Sequence, residues 1–327
     1  MLAKLQSELP RGDGWLYEPK WDGFRALVFR DGDSIDVISR DGRSLVRYFP
    51  ELPPLLSDAL PEECVIDGEV LMAGDGGLDF DTLQLRIHPA ASRINKLAEE
   101  IPSSFVGFDL LALGDQDLRP QPFSVRRKAL ETILTQTLAL HPMPPLEPLH
   151  VYLTPQTDRH AEAVRWFDSF ESIGLEGIVA KRAGDAYRPG KRTMIKVKHK
   201  RTADCVVGGY KLGKTGDGIG ALLLGLYDEG GVLHYVGHTS SFKAQERRRL
   251  LAQLEPMEGS GAFGEGRSPG GQNRWSGTRD QAWVSIRPEL VCEVSFDRMQ
   301  GDRFRHAATF MRWRTDKPPQ DCTIDQV

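Results

Sequence analysis

Lys20 lies in the run Tyr17-Glu18-Pro19-Lys20-Trp21-Asp22-Gly23-Phe24-Arg25. A lysine, an acid–glycine turn and an arginine fall within six residues, flanked by strand-forming side chains. That layout can present an amine nucleophile beside a cation that holds phosphate. A lysine amine is a poor nucleophile at neutral pH, because its free pKa is about 10.4. Nearby positive charge disfavours the ammonium form and activates it. The candidates for that charge are Arg25, Lys181, Lys196, Lys198 and a bound metal ion. Lys196 and Lys198 are two apart in an apparent strand, so they share a face, with Ile195 and Val197 turned the other way. Two lysines on one strand face are also what an ordinary solvated surface carries.

Asp67-Gly68-Glu69 interrupts the apolar run Cys64–Met72. Strand parity puts both carboxylates on one face, where they are expensive unless they meet a cation or hydrogen-bond donors. A hard-metal or ribose-hydroxyl site is the functional reading, and an edge strand with one wet face the bland one. Glu176 opens a second strand of the same character, ending at Lys181. Arg40 sits at the turn Ser39-Arg40-Asp41-Gly42. Phe108 lies in a buried strand, where a lone aromatic is more often core than a base-stacking platform. At the end of the chain, Arg303-Phe304-Arg305-His306 and Arg312-Trp313-Arg314-Thr315-Asp316-Lys317 interleave arginine with aromatics. That pattern suits phosphate and base contact, and an ordinary charged tail has it too.

These residues need elements to hold them. Leu16–Phe29 reads as strand broken at Asp22-Gly23, with a hairpin turn at Asp31-Gly32 leading into Ile35–Ser39. Pro50–Leu60 has leucines at helical spacing. Val65–Met72 and Phe105–Leu111 read as strands, the second apolar on both faces and so central. Ser124 is the expected N-cap of a helix carrying Val125, Leu130, Ile133, Leu134 and Leu138. His141–Pro148 is a proline-rich connection. Thr157 opens a helix with Ala161, Val164, Phe167 and Phe170 inward. Beyond the basic strip, Ala203–Tyr210, Ala221–Leu226, Val232–Val236, Trp283–Ile286 and Leu290–Phe296 are short strands, with one helix near Ser241–Leu254. Such a set suits a small Greek-key barrel of the oligonucleotide-binding (OB) type. Gly259–Gly277 is a long aperiodic loop.

Length and composition bound the rest. The 327 residues suffice for two domains, and 40% hydrophobic with 27% charged residues is a globular balance. No stretch has the length of a membrane span, and the N-terminus lacks a signal-peptide pattern. Cys64, Cys205, Cys292 and Cys322 lack metal-ligand spacing and read as reduced cytoplasmic thiols, the first three in core. The net charge of −4 argues against a protein that coats nucleic acid. The distribution argues otherwise, since Lys181–Arg201 holds nine Lys or Arg against one acid, Asp185. That strip is a footprint for phosphates, or a solvated charged face.

In order, Lys20–Arg25, Ser39–Gly42, Asp67–Glu69, Phe105–Leu111, Glu176–Lys181, Lys196–Lys198 and Arg312–Lys317 resemble the motifs of covalent nucleotidyltransferases. More closely, the chain resembles ATP-dependent DNA ligases of the minimal bacterial C type, relatives of the ligase domain of the bacterial end-joining ligase. The likeness extends to Asp79–Pro89, Thr202–Cys205, Asn273-Arg274-Trp275-Ser276 and Arg303–Val327. Met194 departs from the pattern, standing where many ligases have an aromatic.

The resemblance implies an α+β fold. A nucleotidyltransferase (adenylation, ATP-grasp-like) domain of antiparallel sheets with flanking helices spans 1–201, and an OB-fold barrel spans 202–327. No DNA-encircling, polymerase or nuclease domain is expected. The implied activity is sealing of nicks in duplex DNA through AMP carried on Lys20, in DNA repair. ATP is the implied cofactor, with Mg²⁺, or Mn²⁺, as the metal. Glu18 and Pro19 would lie beside the adenine and Phe108 would stack on it. Arg25 and Arg40 would hold the sugar and 5′-phosphate region. Glu69 and Glu176 would organise ribose and metal. Lys181, Arg192, Lys196 and Lys198 would neutralise phosphates, and Arg314 and Lys317 would orient the pyrophosphate about a hinge near Lys200–Thr202. The expected setting is a bacterial cytoplasmic, nucleoid-associated monomer with nicked DNA and DNA-repair proteins as partners. RNA ligase, mRNA-capping guanylyltransferase and a non-catalytic nucleic-acid-end binder are the competing readings.

Overall fold

The Asp22-Gly23 turn separates two strands that go to different sheets. Trp15–Lys20 ends one edge of a four-stranded sheet, and Phe24–Asp31 lies inside a six-stranded one. The computed structural model describes residues 1–74, 77–134, 147–213, 215–259, 262–264, 269 and 282–327. They form two compact units, Met1–His199 and Lys200–Val327.

In the first unit the smaller sheet runs Leu2–Gln6, Arg192–Lys198, Gly177–Arg182, Trp15–Lys20. Pro19 has no backbone N–H to donate, and an edge strand accommodates that. One face of this sheet carries Tyr17, Ile178, Ala180 and Ile195, packed against Trp166 and Phe167 of the helix His160–Ser169. The larger sheet runs Val151–Leu153, Ser104–Leu113, Glu63–Leu71, Phe24–Asp31, Ser34–Ser39, with Gln116–Asp117 paired outside that path. Its core face buries Ala26, Val28, Ile66, Val70, Phe105 and Leu110 under the helices Leu52–Ala59 and Phe123–Ile133. Ser104–Leu113 has a neighbour on both sides, as apolar residues on both of its faces predict, and the one acid inside it, Asp109, is ion-paired with buried Arg126. The pairings are antiparallel except Leu2–Gln6 with Arg192–Lys198 and Val151–Leu153 with Ser104–Leu113.

Two helix expectations need correction. Phe123–Ile133 begins before Ser124, with Pro122 in the cap position, and the Ser124 N–H donates to the Ala183 carbonyl at 2.9 Å. A proline at a helix start loses no intrahelical bond and arrives with φ preset. Val125 is exposed, and Leu138 and most of the connection His141–Pro148 lie outside the described residues. In His160–Ser169, Ala161 and Val164 face solvent. The inward stripe is Ala163, Trp166, Phe167 and Phe170, which has the i, i+3, i+4, i+7 spacing.

In the second unit five strands run in the order Leu233–Thr239, Ile219–Tyr227, Arg201–Leu212, Val284–Phe296, Thr309–Trp313. The outer two meet through a parallel bridge between Thr239 and Ala308, where the Ala308 N–H donates to the His238 carbonyl at 2.9 Å. This closes the sheet into a barrel, and Ala244–Leu254 lies in sequence between its third and fourth strands. That is the OB arrangement. The two strands expected at Trp283–Ile286 and Leu290–Phe296 are one, Val284–Phe296, whose register shifts opposite Gly208 and so accommodates Pro288. Thr309–Trp313 was not expected as a strand. Its aromatics and their neighbours are structural: Phe304 stacks on Phe296 at 4.5 Å, and Phe310 and Trp313 pack on the barrel core. All four cysteines are buried thiols, Cys322 included.

Candidate active site

Register, more than sequence proximity, assembles the site. Across the smaller sheet, Lys20 pairs with Gly177 and Gly177 with Lys198; Glu18 pairs with Val179 and Val179 with Lys196. Directly paired residues share a face, so Glu18, Lys20, Lys181, Lys196 and Lys198 all project opposite to the Tyr17–Ile178–Ala180 core. Gly177 sits between Lys20 and Lys198 with no side chain to keep them apart. Its φ of 142° and the carbonyl of Val197, which an added Cβ would overlap, leave that position to glycine.

Lys20 Nζ is ion-paired with Glu176 and lies 3.4 Å from the Trp21 carbonyl oxygen. Lys198 Nζ donates to the same Glu176 carboxylate at 3.1 Å. Burial pushes the Glu176 carboxyl up, but Lys20 and Lys198 overcome it and hold the group at about 2. Lys196 is lowered by burial first, then by Lys198 and Lys20. Of the expected cationic cluster, Lys196 and Lys198 stand with Lys20 around the Glu176 carboxylate, while Lys181 is paired with Glu18 and Arg25 with Asp67.

Glu18 is buried beside Lys20 on the same strand. Lys181 Nζ reaches it at 2.6 Å, and Gln156 Nε2 donates to it at 2.8 Å. Arg127 Nη1 lies 3.8 Å away and is a buried donor with no hydrogen-bond acceptor. Lys181 Nζ also donates to the Phe108 carbonyl at 3.2 Å and stands 4.8 Å from the Phe108 ring centroid. Arg25 is 5.8 Å from the same ring. Glu18, Lys181 and the Phe108 ring thus lie together on the polar side of the smaller sheet.

Arg25, in the larger sheet, donates from Nη1 to the carbonyl of Met1, which precedes the edge strand Leu2–Gln6 of the smaller one. Its Nε and Nη2 donate to the two Asp67 oxygens at 3.0 and 2.6 Å, and Tyr187 Oη donates to Asp67 at 2.8 Å. Burial opposes the Arg25 charge, yet the Asp67 hydrogen bond and charge raise its pKa overall. Burial, then Asp67, raises the Tyr187 hydroxyl. Asp67 is thus committed to Arg25 and Tyr187, and the metal reading of Asp67 gives way to a positioning one. Glu69, paired with Arg25 in register, is different. Burial pushes its carboxyl up to about 8, against the pull of Lys20 and Arg25. A carboxyl held protonated by its surroundings fits a place that a cation or a ribose hydroxyl completes. Among the described residues no three His, Cys, Asp or Glu side chains gather as a metal cage. Glu69 and Glu176 are hard oxygen donors, enough for an ion that keeps most of its water and takes one or two carboxylates plus phosphate.

Four expected residues remain. Arg40 is exposed at the hairpin turn, 3.7 Å from Asp41. Arg192 is exposed at the start of its strand. Arg314 and Lys317 belong to the second unit, where both bind Asp204. Asn273–Ser276 and most of the loop Gly259–Gly277 lie outside the described residues. Arg127, Gln156 and Tyr187 were not anticipated. Arg127 reads in the sequence as a surface charge early in a helix, and only the alternation of Phe123, Arg127 and Leu130 on one helical side hinted that it turns inward.

Residues 1–198 match the family model described as ATP dependent DNA ligase domain, and 215–317 match ATP dependent DNA ligase C terminal region. DNA ligase C1 of Mycolicibacterium smegmatis is 49% identical over 337 residues, spanning 100% of this chain and 92% of that protein. The multifunctional non-homologous end joining protein LigD of Pseudomonas aeruginosa is 31% identical over 98% of this chain and 36% of its own length. A solved Lig E DNA ligase superimposes with a TM-score of 0.59 at 18% identity, covering 96% of this chain and 98% of that one, a likeness of fold. With both family regions matched in order and a full-length relative at this identity, the chain belongs to the ATP-dependent DNA ligase family.

Proposed function

We propose that this ligase works through Lys20 and seals nicks in duplex DNA during repair. The reading rests chiefly on Lys20 Nζ lying with Glu176 and Lys198 on the polar face of the smaller sheet, beside the Glu18–Lys181–Phe108 group. Lys20 Nζ attacks the α-phosphorus of ATP, forming an N–P bond as the bond to pyrophosphate breaks. The nick's 5′-phosphate oxygen then attacks that phosphorus, and the lysine regains its amine. The 3′-hydroxyl finally attacks the DNA phosphorus, loses its proton and releases AMP. Each step is an in-line transfer, where positioning and charge neutralisation supply most of the rate.

Glu176 orients Nζ by its ion pair; a carboxyl held at about 2 is too weak a base to take the proton itself. Lys196 and Lys198 meet the phosphates. Lys181, Phe108, Glu18 and Pro19 take the base, with Gln156 holding Glu18 in place. Arg25, fixed by Asp67, takes the sugar side, and Arg40 and Arg192 extend the phosphate track. Glu69 and Glu176 would hold Mg²⁺ or Mn²⁺, which supplies charge neutralisation at the phosphates. We assign Met1–His199 to adenylation and Lys200–Val327 to the barrel, since Arg201 already opens the first barrel strand, with Arg314 and Lys317 acting on the pyrophosphate end of ATP.

The protein incubated with ATP and Mg²⁺ should gain one AMP mass on the peptide spanning residue 20, and Lys20→Ala should gain none. An adduct on another residue would overturn the assignment of Lys20. Labelling from GTP and not ATP would select a capping enzyme, and preferential sealing of a nicked RNA duplex an RNA ligase.

A further inference from the structure

Asp204 stands three residues into the first barrel strand, far in sequence from the C-terminal segment. Its carboxylate nevertheless gathers two cations from a segment more than a hundred residues away. Arg314 Nη1 donates to both Asp204 oxygens, at 2.9 and 2.8 Å, and Lys317 Nζ donates to Oδ2 at 3.0 Å. The rest of the guanidinium is spoken for: Arg314 Nε and Nη2 each donate to Asp316 at 2.9 Å. Asp204 is itself held firmly. Its backbone N–H donates to Gln326 Oε1 at 2.9 Å, and its carbonyl accepts from Gln326 Nε2 at 3.0 Å. The carboxylate is 13% exposed, while Arg314 and Lys317 are 20% and 23% exposed.

We infer that Asp204 is a positioning residue for the adenylylation step, fixing Arg314 and Lys317 as a pair with a set spacing. The inference rests on the role proposed above for those two cations at the pyrophosphate end of ATP. A flexible lysine and a long arginine lose rotamer freedom when they engage an anion. A shared, well-anchored carboxylate takes that loss in advance, and it lowers the mutual repulsion that would otherwise spread the two charges. Asp204 does not touch ATP in this account. It acts through Arg314 and Lys317, and its effect belongs to the step in which pyrophosphate is made.

The test separates the steps. Single-turnover formation of the Lys20 adduct is measured for wild type and Asp204→Asn, beside sealing of a nick that already carries 5′-linked AMP. Asp204→Asn keeps the side chain's size and removes the charge. Adduct formation should fall tenfold or more, and sealing of the pre-adenylylated nick should stay within twofold, with the thermal midpoint recorded for both proteins. Placed on Arg314→Ala/Lys317→Ala, the same substitution should cost adduct formation no more than twofold further, because it has nothing left to position. Unchanged adduct formation, a parallel fall in both steps, or a full additional loss in the triple variant would each overturn the inference. A wild type that forms no adduct at Lys20 would instead overturn the proposed reaction.

Discussion

The two site carboxylates, Glu69 and Glu176, share a neighbourhood and have opposite acid–base character. Glu176 sits between two lysines and stays ionised down to about 2, whereas desolvation pushes the half-buried Glu69 carboxyl up to about 8. Their linkage to stability therefore has opposite signs. For Glu176, with its folded value below the unfolded one, stabilisation is complete above about 4.5 and is lost as pH falls toward 2. For Glu69, with its folded value above the unfolded one, the folded state is penalised increasingly as pH rises from about 4.5 to 8. Glu69→Gln should thus leave the nucleotide-free protein's stability little changed near pH 5 and raise it by on the order of 4 kcal/mol at pH 8. Urea unfolding at both pH values measures this. Equal shifts at the two values would show that the carboxyl is not held protonated. The same variant should slow adduct formation, since it removes a carboxyl oxygen that the proposed metal and ribose need.

At the scale of elements, the site depends on Gly177 bringing Glu176, Lys20 and Lys198 into one row. A Cβ there would overlap the Val197 carbonyl and come within 2.9 Å of Lys198 Cα, at a φ that other residues avoid. Gly177→Ala should cost roughly 2–4 kcal/mol of stability and slow adduct formation more than tenfold, by pushing the Lys198 strand aside. A denaturant midpoint like that of wild type, with normal adduct formation, would mean that the row tolerates a wider spacing. Gly184, with nothing near an added Cβ and no positive φ, is the matched control, and alanine there should change neither measurement.

For the whole molecule, the governing feature is charge distribution. A net charge of −4 coexists with nine Lys or Arg over Lys181–Arg201, and three of them stand on the strand that carries Lys196. If that strip meets DNA phosphates, DNA affinity should weaken roughly tenfold or more as salt rises from about 50 to 200 mM, because each phosphate contact releases counterions. Adduct formation on Lys20, which needs no DNA, should change far less over the same range. A flat DNA titration, or parallel salt sensitivity of both steps, would count against the strip as the DNA track. Among the described residues no helix is long and apolar enough to cross a membrane.

The sequence by itself determined the strands that bear chemistry, the Lys20 run, the acid–glycine strands and the alternation of Lys196 and Lys198. These are local: period-two patterning and turn residues depend on neighbours a few positions away. It also determined the barrel's first three strands and their helix. It could not place the barrel's closing strand, Thr309–Trp313, whose arginines and aromatics read equally well as a charged tail until pairing with Val284–Phe296 turned the aromatics inward. Nor could it tell that Asp67 would be taken by Arg25 and Tyr187, that Arg127 and Gln156 would surround Glu18, or that Asp204 would bind two cations from the far end of the chain. Each of those contacts joins residues remote in sequence, and strand register and helix packing decide such partners, neither of which any local pattern encodes.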